Sequence, residues 1–419
     1  MYQSAAVSVM DARTGFVIYE NAQHELMYPA SITKIMTALL VLEEVENLQE
    51  QLIFSENSIE SLPYYASRMH ALPGDTLTVY EALYGLMLPS GNDVANALAE
   101  HVSGSIPAFV SHMNRRAAEI GAVDTHFINP CGLPGEGQHT TAFDMALIMR
   151  EAINNPAFVR IISAQDFFIP PTLENFPEGW LIQNTNLLIQ NGYFYNPWVI
   201  GGKTGFTNAA QHTLVSYARR GEHELIVSVL YAPRRATFSD TTALLNHTFA
   251  MPIEQLFESD SHYWQIPVLQ EINGESEVIA SITARGRGDF AVPMPDGLPA
   301  VRYEVSIPEY LAPPVRVGDV IGHKAFYAGH TLIGRVEIVS ENSALPRIIT
   351  EPSQPAASVP VFMEQATYSN FFNFWAFFPV LALVLIGFVV AMIRRHRKIL
   401  RRRRRIARVR YARYHNNYY

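Results

Sequence analysis

At 419 residues the chain is long for one domain and suggests two plus appendages, with enough sequence to bury a large core. A single cysteine, Cys131, excludes an intrachain disulfide. The net charge of −8 conceals an asymmetry: residues 394–419 hold twelve Lys or Arg and no acid, leaving 19 basic against 39 acidic side chains elsewhere, a balance of −20.

In chain order, residues 5–20 read as strand, turn and strand, with Asp11-Ala12-Arg13-Thr14-Gly15 between Val7-Ser8-Val9 and Phe16-Val17-Ile18-Tyr19. Helical periodicity runs from Ile32 to Glu46, with Ser31 at or near its first turn. Further helices are expected at 79–88, 93–102, 107–120 and 142–154, separated by breaks such as Pro89-Ser90-Gly91-Asn92. Strands return around Lys203, at 213–218 and at 225–231, before a last helix near 239–249. Strands at both ends with helices between them predict an α+β domain over residues 1–255, one mixed sheet flanked by a helical cluster. Residues 256–340 alternate with period two, as in Val301-Arg302-Tyr303-Glu304-Val305-Ser306-Ile307, and predict a small all-β domain. Pro346, Pro352, Pro355 and Pro360 mark residues 341–373 as a stalk.

Residues 374–393 form a run of 20 without a charge. As a helix they reach roughly 30 Å, the thickness of a bilayer's hydrocarbon core. The basic run that follows at 394–419 argues for a transmembrane helix over a buried core helix, and for anionic lipid over nucleic acid as its partner. Positive charge on the cytoplasmic side places the acidic body outside the cell membrane, on a single-pass anchor. Met1-Tyr2-Gln3 leads directly into an apparent strand rather than a charged and apolar leader, so an export signal is expected to have been removed or to lie upstream.

Lysine is scarce. Only Lys34 and Lys203 occur in the first 323 residues, against fourteen arginines, and both sit in hydroxyl-containing motifs. A guanidinium cannot give up its proton in a protein, whereas an amine can. In Ser31-Ile32-Thr33-Lys34 a helical turn would bring the amine beside the hydroxyl. Ile32, Ile35, Met36, Ala38 and Leu39 would desolvate it and lower its pKa, so that a neutral Lys34 could accept the Ser31 proton.

Ser90-Gly91-Asn92 follows 59 residues after Ser31, in a break between helices. By itself it is ordinary turn chemistry. A hydroxyl and a carboxamide there could also relay a proton and hold a substrate amide. Lys203-Thr204-Gly205, before Phe206 and on an expected edge strand, offers a cation, a hydroxyl and a backbone N–H suited to an oxyanion hole. At Lys203 the need is only for a cation, so arginine would be expected to retain some activity. The fourteen histidines lack metal-ligand spacing, and neither metal nor cofactor is expected. Cys131 reads as a packed small side chain and Asp144 as structural.

The three motifs in this order resemble the set shared by penicillin-binding proteins and β-lactamases. The segments Pro29-Ala30-Ser31-Ile32-Thr33-Lys34-Ile35-Met36-Thr37-Ala38, Leu88-Pro89-Ser90-Gly91-Asn92-Asp93-Val94-Ala95 and Thr140-Thr141-Ala142-Phe143-Asp144-Met145-Ala146 are similar to low-molecular-mass penicillin-binding proteins, the serine-type D-alanyl-D-alanine carboxypeptidases. The likeness is strong from residue 5 to about 250 and weak over the β-rich region. It implies a penicillin-binding/β-lactamase-like transpeptidase fold, a peptidoglycan stem peptide as substrate and β-lactam antibiotics as inhibitors. It also implies acylation of Ser31, with Lys34 as base, Ser90 in proton relay and Asn92 positioning the substrate amide and Lys34. By the same resemblance, Lys203 and Thr204 would bind the terminal carboxylate, the N–H groups of Ser31 and Phe206 would hold the oxyanion, and Arg234 or Arg235 would be a further carboxylate partner.

The chain departs from many relatives at Cys131, where Pro-His-Gly-Leu is common, and at Ala210, where glycine is common. Both bear on substrate preference and rate more than on reaction type. A D,D-endopeptidase, a β-lactamase and a non-catalytic β-lactam-sensing or wall-binding receptor remain as alternatives.

Overall fold

The computed structural model describes residues 2–259, 262–294 and 300–347. The expected membrane helix at 374–393, the basic tail and the stalk beyond residue 347 lie outside the described residues. Among the described residues, no helix is long and apolar enough to cross a membrane.

The chain opens with the hairpin β1 (Ala6–Asp11) and β2 (Val17–Asn21), then a 3₁₀ turn at Ala30–Thr33 and α1 (Lys34–Glu44). A helical region follows: β3 (Gln51–Ile53), α2 (Glu56–Glu60), β4 (Thr76–Thr78), α3 (Val79–Met87), α4 (Asn92–Ser103), α5 (Ile106–Ile120), α6 (Ala142–Ala152) and α7 (Pro156–Ser163). Next come the short hairpin β5 (Asp166–Ile169) and β6 (Trp180–Gln183), the strands β7 (Val199–Thr207), β8 (Gln211–Arg220) and β9 (His223–Ala232), and α8 (Ala236–Phe249).

The five long strands form one sheet in the order β2-β1-β9-β8-β7. The expectation of a mixed sheet is corrected here, because every pairing in it is antiparallel. The physical reason is connectivity: the helical excursion returns the chain at the far edge, as β7, and turns too short for a parallel crossover then bring β8 and β9 back across the sheet until β9 lies antiparallel beside β1.

Local chemistry sets the helix ends. Thr78 and Glu81 make a reciprocal capping box on α3, and the Thr141 hydroxyl accepts from Asp144 N–H at the start of α6. Helix α1 is buried on every side from Lys34 to Val41, with Lys34 and Thr37 as its polar members, and so runs through the core. Its Met36 and Leu40 share one core with Leu83, Leu98, Phe109 and Met145, each fully removed from water. A second core on the sheet's other face joins Val7, Val227 and Leu244 to Phe257, Phe290 and Phe326 of the following region.

That region is all-β. It comprises β10 (Ile253–Phe257), β11 (Tyr263–Ile272), β12 (Glu275–Gly286), β13 (Phe290–Pro293), β14 (Val301–Ser306), β15 (Val320–Ala328) and β16 (Thr331–Ser340). Five strands pair in the order β11-β12-β16-β15-β14, and β10 pairs with β13. Ala344 still bridges to Val315, so the chain stays attached to this domain past Ser340.

Candidate active site

Ser31 lies in the 3₁₀ turn, after Ala30 at φ 51°, and Lys34 opens α1. Three acceptors face the Lys34 amine: Asn92 Oδ1 at 2.6 Å, the Cys131 carbonyl at 2.9 Å and Ser31 Oγ at 3.1 Å. The side chain is 0% exposed, in a stretch where Ile32, Ile35, Met36 and Ala38 are equally buried. Burial pushes its pKa down to about 8, partly opposed by Cys131 and Asp93.

The break between α3 and α4 carries the second motif. Ser90 stands at φ 68°, and its buried Oγ has no hydrogen-bond partner among the described residues. A left-handed serine is uncommon, and strain of this kind clusters at functional sites. Asn92 begins α4 and donates its N–H to the Ser67 carbonyl at 2.9 Å. Asp93 accepts from Met69 N–H at 2.9 Å, which ties the 61–73 loop to the same corner.

The third motif lies on β7, the edge strand next to Ser31. Lys203 is 1% exposed and donates to the Thr204 carbonyl at 2.9 Å. Its pKa is held well below the usual value by burial, and then by Lys34. Thr204 Oγ1 is 2.6 Å from Thr185 Oγ1. At Gly205 a Cβ would stand 2.8 Å from the Ser31 nitrogen and 2.4 Å from Thr213 Oγ1, so only glycine lets this strand approach the Ser31 N–H so closely. Gly132 does the same on the other side, where a Cβ would collide with the Ala30 carbonyl.

These segments meet at an open cleft of about 640 Å³. Ser31, Ser90, Thr204, Gly205, Phe206, Arg234 and Arg235 line it. Lys34, Asn92 and Lys203 stand behind the wall, buried. Phe206 is half-exposed against His212, ring centres 4.5 Å apart. Burial and Arg234 lower the pKa of His212, which favours its neutral form. Arg235 opens α8 at φ 67°. Thus Ser31, Lys34 and Asn92 are brought together by direct hydrogen bonds. Ser90, Thr204 to Phe206 and the two arginines share their cleft, and Lys203 is not part of its lining.

Sequence reasoning missed the Cys131 carbonyl, Thr185, Ser67 and Thr213. A backbone carbonyl carries no side-chain signature, and Thr185 sits in Asn184-Thr185-Asn186, which matches none of the motifs. Among the described residues, no group of three His, Cys, Asp or Glu side chains could hold a metal ion.

Comparison with known proteins fits this geometry. Residues 2–234 match the peptidase S11 family, D-alanyl-D-alanine carboxypeptidase. The carboxypeptidase DacF of Bacillus subtilis is 30% identical over 334 residues, covering 77% of this chain and 80% of that protein. DacB2 of Mycobacterium tuberculosis is 36% identical over 225 residues, covering 53% of this chain and 73% of its own length. The crystal structure of DacD from Francisella tularensis aligns with a TM-score of 0.60 at 25% identity, covering 83% of this chain and 95% of that one.

The fold is therefore that of the penicillin-binding proteins, and the chemistry is that of a serine hydrolase. The chain belongs to the D-alanyl-D-alanine carboxypeptidase family, and that hydrolysis is its activity.

Proposed function

We propose that the enzyme removes the terminal D-alanine from peptidoglycan stem peptides through an acyl-enzyme on Ser31, with Lys34 as the base. The observation that carries this reading is the trio of acceptors around the Lys34 amine. A neutral amine has two N–H groups and one lone pair. Asn92 Oδ1 and the Cys131 carbonyl accept the two hydrogens, which leaves the lone pair facing the Ser31 hydroxyl at 3.1 Å.

Ser31 Oγ then attacks the penultimate D-alanine carbonyl as its proton passes to Lys34. The N–H groups of Ser31 and Phe206 stabilise the oxyanion, and Gly205 makes room for that arrangement. Collapse breaks the C–N bond. The proton returns through Ser90 to the leaving amine, and D-alanine departs. Water next attacks the ester as Lys34 takes its proton; the acyl C–O bond breaks, Lys34 returns the proton to Ser31 Oγ, and the shortened peptide leaves as its carboxylate. The Thr204 and Thr185 hydroxyls, with Arg234 or Arg235, meet the terminal carboxylate, while the buried Lys203 amine holds the Thr204 carbonyl from behind the wall. β-Lactams acylate Ser31 by the same route.

We further propose that residues 374–393 cross the cell membrane once, with the basic tail on its cytoplasmic lipid face and the catalytic domain outside. The charge asymmetry supports this.

A fluorescent penicillin should label the wild type and leave Ser31→Ala unlabelled. D-Alanine release from a diacetyl-Lys-D-Ala-D-Ala tripeptide should vanish in the same variant. Equal labelling of both proteins would remove Ser31 from its role.

A further inference from the structure

A second cleft, of about 400 Å³, opens where the β1–β2 turn meets the all-β domain. Its walls include Arg13, Thr14, Arg150, Phe290, Gly334 and Arg335. The placement of the three arginines is the informative feature. Arg150 donates from Nε to the Ala12 carbonyl at 3.0 Å and from Nη2 to the Arg13 carbonyl at 2.8 Å. Arg13 donates from Nη2 to the Ala291 carbonyl at 3.1 Å, reaching across to the β domain. Carbonyl oxygens fix these guanidinium groups without cancelling their charge, and guanidinium does not deprotonate in proteins.

Arg335 comes from the β-domain side, exposed on β16, where its backbone pairs with Ala325, and its guanidinium forms no ion pair or hydrogen bond among the described residues. Among the described residues, no carboxylate lines the cleft. Asp11, at the base of the turn, uses Oδ1 to accept the Thr14 N–H at 2.8 Å. Three mutually repelling cations therefore face one cavity in a body whose overall balance is strongly acidic. An anion placed among them would relieve that repulsion and satisfy the spare N–H groups.

We propose that this junction binds an oxyanion of the phosphate class, either free in solution or carried on a lipid headgroup. Forked N–H donors match phosphate oxygens. Because two of the arginines belong to the catalytic domain and one to the β domain, the bound anion bridges the two. The site is separate from the Ser31 cleft, and its occupancy does not depend on the mechanism proposed above.

The test uses the full chain in neutral detergent, titrated calorimetrically with inorganic phosphate and, in a second arm, with short-chain phosphatidylglycerol. Potassium chloride at matched ionic strength is the control. The expected result is saturable binding by the wild type, with Kd raised by about tenfold or more in Arg335→Gln and in Arg13→Gln, since each loses charge-assisted hydrogen bonds. Wild-type rates of β-lactam acylation in both variants would verify that they fold. Binding of phosphate itself identifies the free anion as sufficient. Binding of phosphatidylglycerol alone identifies the headgroup. Absence of binding in both arms, or affinities unchanged in both variants, overturns the proposal.

Discussion

Asn92 Oδ1 stands 2.6 Å from the Lys34 amine, closer than the Ser31 hydroxyl at 3.1 Å. The carboxamide offers that amine a neutral acceptor and no counter-charge. This distinction keeps the amine titratable near neutrality, because a carboxylate at the same distance would hold the proton on it.

Asn92→Asp tests the point with an isosteric change. The added negative charge should raise the Lys34 pKa above its present value of about 8, so less amine is free at neutral pH. Acylation by a fluorescent penicillin should slow by about tenfold or more near pH 7 and recover on the alkaline side. An unchanged profile would show that the Lys34 charge state does not govern the step.

Gly205→Ala should abolish the close approach of β7 to Ser31, because the new Cβ would meet the Ser31 nitrogen at 2.8 Å and Thr213 Oγ1 at 2.4 Å. Losing one oxyanion donor costs on the order of a hundredfold or more in rate. Single-turnover acylation should fall by that much while circular dichroism stays that of the wild type. A fall of less than about threefold would place the oxyanion elsewhere.

Lys203→Arg separates charge from fit. From sequence alone arginine is expected to retain some activity at this position, but the side chain is 1% exposed and packed. The larger guanidinium should overpack the site at a cost of about 1–3 kcal/mol. Both a lower Tm and weak acylation are expected, read by calorimetry and penicillin labelling.

Residues 348–419 should confer membrane attachment. The full chain is expected in the membrane fraction after carbonate washing, and a chain ending at residue 347 in the supernatant with its penicillin labelling intact. Recovery of the full chain in the supernatant would contradict the proposed span.

Much of the catalytic corner was legible because its chemistry is carried by side chains at short spacing. Ser31 and Lys34 are one turn apart, and the apolar residues between and after them announce a buried amine. The start of the helix was less legible: Ala30–Thr33 forms a 3₁₀ turn and α1 begins only at Lys34. Burial of Lys203 could not be read, because it depends on α7 and the Ala30–Thr33 turn, both distant in sequence, packing against β7. Helix α7 and the β5–β6 hairpin went unseen since each is short and its ends are set by Asn155-Pro156 and by aromatic packing such as Phe176 on Trp180. The Cys131 carbonyl is 97 residues from Lys34, a distance only the fold can bridge.

The most direct test of Lys34 as base is the pH dependence of single-turnover acylation by the wild type. With a pKa of about 8, roughly a tenth of the amine is free at pH 7. Deprotonation should raise the rate nearly in step with pH up to about 8, then leave it level. A rate that stays flat from about pH 6 to about pH 10 would contradict the assignment of Lys34 as the group that takes the Ser31 proton.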